Sequence, residues 1–315
     1  MSLPHFIIGG VRRGGTTSLY YAIREHPQIY LYPHSELNYF VEEEVKGRTW
    51  REDPVDPDRW EASHSVADYA THFPNKTHAR AIGHKGADLL FWHTAHDRIA
   101  RFVPDVRFIF TLRNPVNRAW SHYWFERAKG RETLSFEQAL AAEQERAGRS
   151  DWARYHLSYQ ARGYYDRNLE RFFKIFPRER VLVITLEEKI ARPRETLQKI
   201  YRFLDVDPDL GHTLAQTRRN PGWATLPRPW TRRSGIRQFV GGYETLTDAL
   251  TSMFASYRDS RRRVRNFLQR PFRESVRQTP MSEELRAELN TLYAPHITAL
   301  ENLLDRSFEE WRGYS

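Results

Sequence analysis

Apolar and polar positions follow two rhythms along this chain. A short apolar run at 5–8 ends in Gly9 and Gly10, and Leu19, Tyr20 and Ile23 then recur at helical spacing up to His26-Pro27. That pattern predicts a strand, a tight loop and a helix. Residues 106–112 are predicted as a buried strand bounded by Asn114-Pro115, followed by a helix to about Arg127 with Pro115 in its first turn. Helices are predicted over 135–147 and over 164–176, where Leu169, Phe172, Phe173 and Phe176 share a face. Residues 180–185 read as a second buried strand, and Pro193 opens a helix over 193–204. The stretch 282–304 predicts one or two helices, capped by Ser282 with Glu283 and Glu284 in the first turn. Residues 41–80 are polar, rich in Asp-Pro turns and without period, and read as a long excursion.

Strands alternating with helices predict an α/β fold: a three-layer sandwich around a central parallel sheet, whose ligands sit at the carboxyl ends of the strands. At 315 residues the chain suits a single domain over 1–315, with an Arg-rich insertion or lid at about 227–277.

Composition narrows the chemistry. Hydrophobic residues make up 40%, with 18 Phe, 16 Tyr and 9 Trp, so wholesale disorder is excluded and a sizeable core is expected. The chain has no cysteine, which excludes a disulfide scaffold, a thiolate nucleophile and any Cys-ligated metal centre. No apolar run is long enough to predict a membrane span, and the first residues carry no basic, targeting-type segment, so a cytoplasmic protein is expected. The formal net charge of +9 predicts anionic company: nucleic acid, a membrane surface, or a phosphorylated or sulfated small molecule. That charge is local. Residues 227–277 hold 12 Arg and no Lys against four acids, Glu244, Asp248, Asp259 and Glu274.

The loop between the first strand and helix reads Gly9-Gly10-Val11-Arg12-Arg13-Gly14-Gly15-Thr16-Thr17-Ser18. Glycines let backbone N–H groups converge on an anion, and the helix N-terminus adds partial positive charge, so this is the architecture of a P-loop-like phosphate-binding loop. Against the G-x-x-x-x-G-K-[ST] pattern Gly10, Gly15 and Thr17 fit, but Thr16 stands where the lysine belongs and the cation has moved to Arg13. A nucleotide triphosphatase also needs a metal-binding carboxylate, and Arg113-Asn114 follows the 106–112 strand instead. Arg113 at that strand's end and Ser121 two helical turns later can hold one phosphate, by a two-pronged guanidinium contact and a donated hydroxyl. The pair His93-x-x-His96 with Asp97 lacks a third ligand at recognisable spacing, and no metal is expected.

Together, G-x-x-R-x-G-T-T-S-L at the start and L-R-N-P-V-x-R-A-x-S-H-Y at 112–123 resemble the sulfotransferases that use 3′-phosphoadenosine 5′-phosphosulfate (PAPS), particularly their bacterial and heparan-type branch. Glu36 within Pro33–Phe40, the stretches 159–176 and 184–204, and the end from Pro280 to Trp311 resemble further blocks of that family. The resemblance implies a PAPS-dependent transferase acting on a hydroxyl or amine of a small-molecule or saccharide acceptor, a bacterial secondary metabolite among the candidates. It implies neither a metal nor nucleic acid.

It implies roles as well. Arg13, Gly14, Gly15, Thr16, Thr17 and Ser18 would cradle the 5′-phosphosulfate, Arg113 and Ser121 would bind the 3′-phosphate, and Glu36 would be the general base. Arg13 stands for the family's lysine on the leaving phosphate; an arginine keeps the charge but is a poor proton donor. Ser35 replaces the lysine that precedes the glutamate. His84, in Ile82-Gly83-His84-Lys85-Gly86-Ala87-Asp88-Leu89, replaces a second expected glutamate and is a candidate second base or acceptor-orienting group. Two other readings of the same residues stay open: a nucleotide-dependent kinase on this loop, and a basic nucleic-acid-binding protein. Acceptor identity and oligomeric state are not written in these motifs.

Overall fold

Five short runs pair side by side into one parallel sheet. The computed structural model describes residues 2–33, 36–41, 64–74, 78–210, 223–227 and 273–312, and the account is of these. The strands are β1 (Phe6–Gly10), β2 (Ile29–Leu31), β3 (Ala81–Lys85), β4 (Arg107–Leu112) and β5 (Val181–Thr185). Their order is β2-β3-β1-β4-β5, all parallel, with Phe6 level with Gly83 on one side and Arg107 on the other. The order reverses at β1, so the crevice for a ligand opens beyond the carboxyl ends of β1 and its neighbours.

Alternate residues of the buried strands face opposite layers. Phe6 and Ile8 of β1 and Ile109 of β4 pack with Leu19, Tyr20 and Ile23 of helix α1 (Thr16–Arg24) on one face. Ile7, Phe108 and Phe110 face the other layer, where Leu169 and Phe172 belong to a helix at Tyr165–Phe173. There Phe172 sits edge-on to both Phe108 and Phe110, at centroid distances of 4.7 and 5.0 Å, the favoured aromatic geometry. The three-layer α/β architecture matches the sequence expectation.

The chain divides into two compact units, one of 1–122, 136–217 and 281–315 and another of 123–135 and 218–280. The sheet belongs to the first. Within the second, Trp223–Pro227 pairs antiparallel with Arg273–Arg277, and the Tyr123 hydroxyl donates to the Leu134 carbonyl at 3.0 Å. Most of the predicted Arg-rich segment, 228–272, lies outside the described residues, as does 42–63 of the predicted excursion.

Several predicted elements differ in detail. The helix expected over 135–147 is two, Phe136–Ala141 and Glu143–Arg149. The 282–304 stretch is one helix, Glu283–Leu304, whose cap Ser282 accepts from the Leu285 N–H, and Pro295 lies inside it. β3 has no counterpart among the predicted strands, because its fully buried residues Ala-Ile-Gly-His-Lys include two polar side chains and give no apolar run. No helix among the described residues is long and apolar enough to cross a membrane.

Candidate functional site

The loop after β1 is shaped by backbone contacts that leave no room for side chains. The Val11 N–H donates to the Thr111 carbonyl of β4 at 3.0 Å, and the Gly14 N–H turns back to the Val11 carbonyl at 2.9 Å. A Cβ on Gly14 would lie 2.2 Å from the Thr111 oxygen, so only glycine fits. Gly15 has φ +92° at the N-cap of α1, and helix α1 then presents the first-turn amides of Thr16, Thr17 and Ser18, which have no intrahelical acceptor.

Arg13 takes a left-handed backbone, φ +68°, which is uncommon for a residue with a side chain and turns it out of the loop. Its Nε donates to the Ser121 hydroxyl at 3.0 Å. Ser121 lies on the helix Pro115–Ala128, which leaves β4 through Arg113; the Asn114 side chain accepts from the Asn117 N–H at 3.1 Å as the cap of that helix. Arg113 is tied down from two sides: its carbonyl accepts from the Tyr165 hydroxyl at 2.8 Å, and its guanidinium reaches the Arg13 carbonyl at 3.5 Å. The two motifs that stand 100 residues apart in sequence thus meet at Arg13, Arg113 and Ser121.

Glu36 lies at the other end of the loop. Its Oε1 accepts from the Ala87 N–H at 3.0 Å, while its Oε2 is 3.8 Å from the ammonium of Lys85. Lys85, the last residue of β3, is nearly fully buried and also donates to the Thr17 hydroxyl at 3.2 Å. It therefore bridges the carboxylate and the phosphate loop. Burial pulls its pKa down, against the opposing influence of Glu36 and Asp88. Sequence reading passed over Lys85. The available signal was a basic residue at the carboxyl end of a strand beside β1, where ligands of parallel sheets bind.

His84 is elsewhere. Strand alternation turns it to the opposite face from its neighbour Lys85. It is 0% exposed, with Nε2 2.7 Å from the Tyr69 hydroxyl and its ring against those of Tyr69 and Phe73. Burial lowers its pKa to about 3, so the imidazole is neutral. His84, expected as a second base or acceptor-orienting group, thus lies in the core with its Nε2 on the Tyr69 hydroxyl, on the face away from Lys85 and the loop. His96 likewise bonds the Leu89 carbonyl at 2.8 Å.

Behind the loop lies a cluster that sequence motifs gave no hint of. Arg12 grips Asp88 with two prongs, Nε to Oδ1 at 2.9 Å and Nη2 to Oδ2 at 2.8 Å. Arg162 adds a bond at 2.6 Å and the Tyr155 hydroxyl another at 2.7 Å, while Arg12 stacks over the Tyr155 ring. Burial alone would raise the Asp88 pKa, but the two guanidinium groups hold the carboxyl well below the usual range. Asp88 is adjacent to Ala87, whose N–H orients Glu36. The clamp consequently ties the phosphate loop to the segment that holds the carboxylate.

Two arginines and a serine gather at one end of a helix N-terminus, and a lysine and a carboxylate at the other. A family model described as "Sulfotransferase family" matches residues 4–209. The bifunctional heparan sulfate N-deacetylase/N-sulfotransferase 2 of Homo sapiens is 28% identical over 224 residues, covering 67% of this chain and 23% of that protein. The heparan sulfate glucosamine 3-O-sulfotransferase 3A1 of Mus musculus is 27% identical over 204 residues, covering 64% and 46%. The chain thus spans less than half the length of these curated relatives. Among solved structures, a sulfotransferase from Alicyclobacillus acidocaldarius superimposes with a TM-score of 0.67 at 24% identity, over 99% of this chain and 100% of that one, a likeness of fold.

Proposed function

The chain belongs to the sulfotransferase family, and from that footing we propose that it moves a sulfuryl group from PAPS to a hydroxyl or amine of a saccharide or small-molecule acceptor. The observation that carries this reading is the meeting of Arg13, Arg113 and Ser121 beside an N-terminal helix turn. A nucleotide with anionic groups on both its 3′ and 5′ positions is complementary to that surface. A triphosphate with Mg²⁺ fits it less well, because Thr16 stands where the P-loop lysine would be and Arg113 where a metal-binding carboxylate would be.

The donor, when bound, supplies the activated sulfuryl group. The chain's residues then divide the work. The amides of Thr16–Ser18 hold the 5′ anion, and Arg113 with Ser121 holds the 3′-phosphate. Glu36, half-exposed and oriented by the Ala87 N–H, takes the proton of the acceptor hydroxyl. Lys85, in contact with both Glu36 and Thr17, places a fixed positive charge between base and loop, where charge shifts during transfer. Arg13 is directed to Ser121, so the leaving-group role inferred for it from sequence falls at least partly to Lys85. His84 has no part in this set.

Thermal shift with adenosine 3′,5′-bisphosphate (PAP) against ATP–Mg²⁺ tests the reading. Stabilisation by PAP is expected; stabilisation by ATP–Mg²⁺ alone would restore the kinase reading and overturn this one.

A further inference from the structure

Lys189 stands on the short helix Leu186–Ala191, directly after β5, and its side chain runs beneath the phosphate loop. Its ammonium donates to the Gly15 carbonyl at 2.8 Å and to the Ser18 hydroxyl. Ser18 in turn donates to the same Gly15 carbonyl at 2.9 Å, so lysine, serine and carbonyl form a closed triangle under the first turn of α1. The loop is packed directly on this group: a Cβ on Gly15 would lie 3.0 Å from the ammonium nitrogen.

The side chain is 2% exposed, and its two hydrogen-bond partners are neutral. The nearest acids of its own helix are engaged elsewhere. Glu187 accepts from the Asn114 N–H and the Trp311 indole N–H, both at 3.1 Å, and Glu188 pairs with Arg306 at 2.9 Å and Lys199 at 3.6 Å. Arg12 and Arg162, by contrast, are paired with Asp88. Burial lowers the Lys189 pKa to about 8, opposed only by the field of Glu187. A buried ammonium with no contacting carboxylate is unfavourable unless an anion completes it.

We infer that Lys189 is a donor-site cation acting from behind the loop, completed by the anion that the Thr16–Ser18 amides hold. It returns an ammonium to the turn where the sequence has Thr16 in place of the P-loop lysine, but delivers it from β5's side of the sheet. It also fixes the Gly15 carbonyl and the Ser18 hydroxyl, which sets how the first-turn amides point. The identity of the anion, the 5′ group of PAPS, rests on the proposed function; the charge argument does not.

Two variants separate charge from strut. Lys189→Met removes charge and hydrogen bonds, whereas Lys189→Gln removes the charge and keeps a donor. PAP affinity by calorimetry is expected to fall at least tenfold in both, with the ligand-free melting temperature unchanged or raised, since an uncompensated buried charge has gone. Wild-type affinity in Lys189→Gln would make the residue a hydrogen-bonding strut and overturn the inference. So would an unchanged affinity in both variants. If Lys189→Met fails to fold, Lys189→Gln decides. Inorganic pyrophosphate serves as a parallel probe. Should the wild type bind pyrophosphate but not PAP, and both variants lose it, the donor assignment fails and the Lys189 inference stands.

Discussion

Replacing Asp88 with Asn should be among the most damaging single-atom changes in the molecule. The carboxylate accepts four hydrogen bonds, two from Arg12, one from Arg162 and one from the Tyr155 hydroxyl. Both arginines also donate to the Tyr155 carbonyl, at 3.4 and 2.7 Å, but Asp88 supplies the negative charge they share. Asparagine keeps the shape but presents one acceptor oxygen and an NH₂ that faces a guanidinium. Two nearly buried arginines would then lack their counter-charge. Removing one partner of a buried ion pair costs about 3–5 kcal/mol, far above the loss of a neutral hydrogen bond, about 1 kcal/mol. At about 2 °C per kcal/mol for a chain of this size, the melting temperature should fall by about 6–10 °C.

The sign with pH follows from the direction of the shift. Asp88 titrates well below its unfolded value, so its contribution is fully present above about pH 4 and is lost as pH falls below it. Urea unfolding of wild type and Asp88→Asn at pH 7 and at pH 3.5 measures both effects. The gap between the two proteins should be wide at pH 7 and narrower at pH 3.5. A difference under about 1 kcal/mol at pH 7 would refute the idea that this carboxylate is the buried counter-charge of Arg12 and Arg162. Because Arg12 belongs to the phosphate loop, the same variant should also weaken PAP binding.

Glu36→Gln should lower turnover by about 10²–10⁴ and leave PAP affinity unchanged, seen by steady-state kinetics beside calorimetry; unaltered turnover removes Glu36 from the mechanism. Arg113→Ala should weaken PAP binding at least tenfold, about 1.4 kcal/mol, while binding of adenosine 5′-phosphosulfate, which lacks the 3′-phosphate, stays the same. His84→Phe should lose about 1 kcal/mol of stability with the Tyr69 hydrogen bond, yet keep the wild-type pH–rate profile between pH 5 and 9; loss of an acid limb would return His84 to the catalytic set.

The sheet was legible wherever a strand is written as an unbroken apolar run. Residues 106–112 and 180–185 announce themselves this way, and β4 and β5 lie within them. β3 escaped because a strand can be buried and polar when tertiary partners satisfy it: His84 has Tyr69, and Lys85 has Thr17 and Glu36. The same property decided the site. Glycines and Arg13 sit close in sequence, and Arg113 and Ser121 are two helical turns apart, so spacing alone suggested their chemistry. His84 in place of an expected glutamate drew attention to one member of a neighbouring pair, and the period of two sends His84 to the core and Lys85 to the loop.

Charge offers the sharper contrast between chain and fold. The +9 excess suggested an anionic partner, but most of it resides in 227–277. Among the described residues, the cations gathered at the loop are Arg12, Arg13, Lys85, Arg113 and Lys189, from the loop itself, β3, the end of β4 and the helix after β5. Two of these are among only seven lysines in a chain whose basic residues number 49, and both are almost fully buried. A surface arginine is screened within about 10 Å by ordinary salt, whereas a buried ammonium in contact with the loop is not. Donor affinity should therefore respond weakly to ionic strength compared with any binding carried by 227–277. Placement at the carboxyl ends of a parallel sheet, rather than the number of basic residues, is what brings these five cations together.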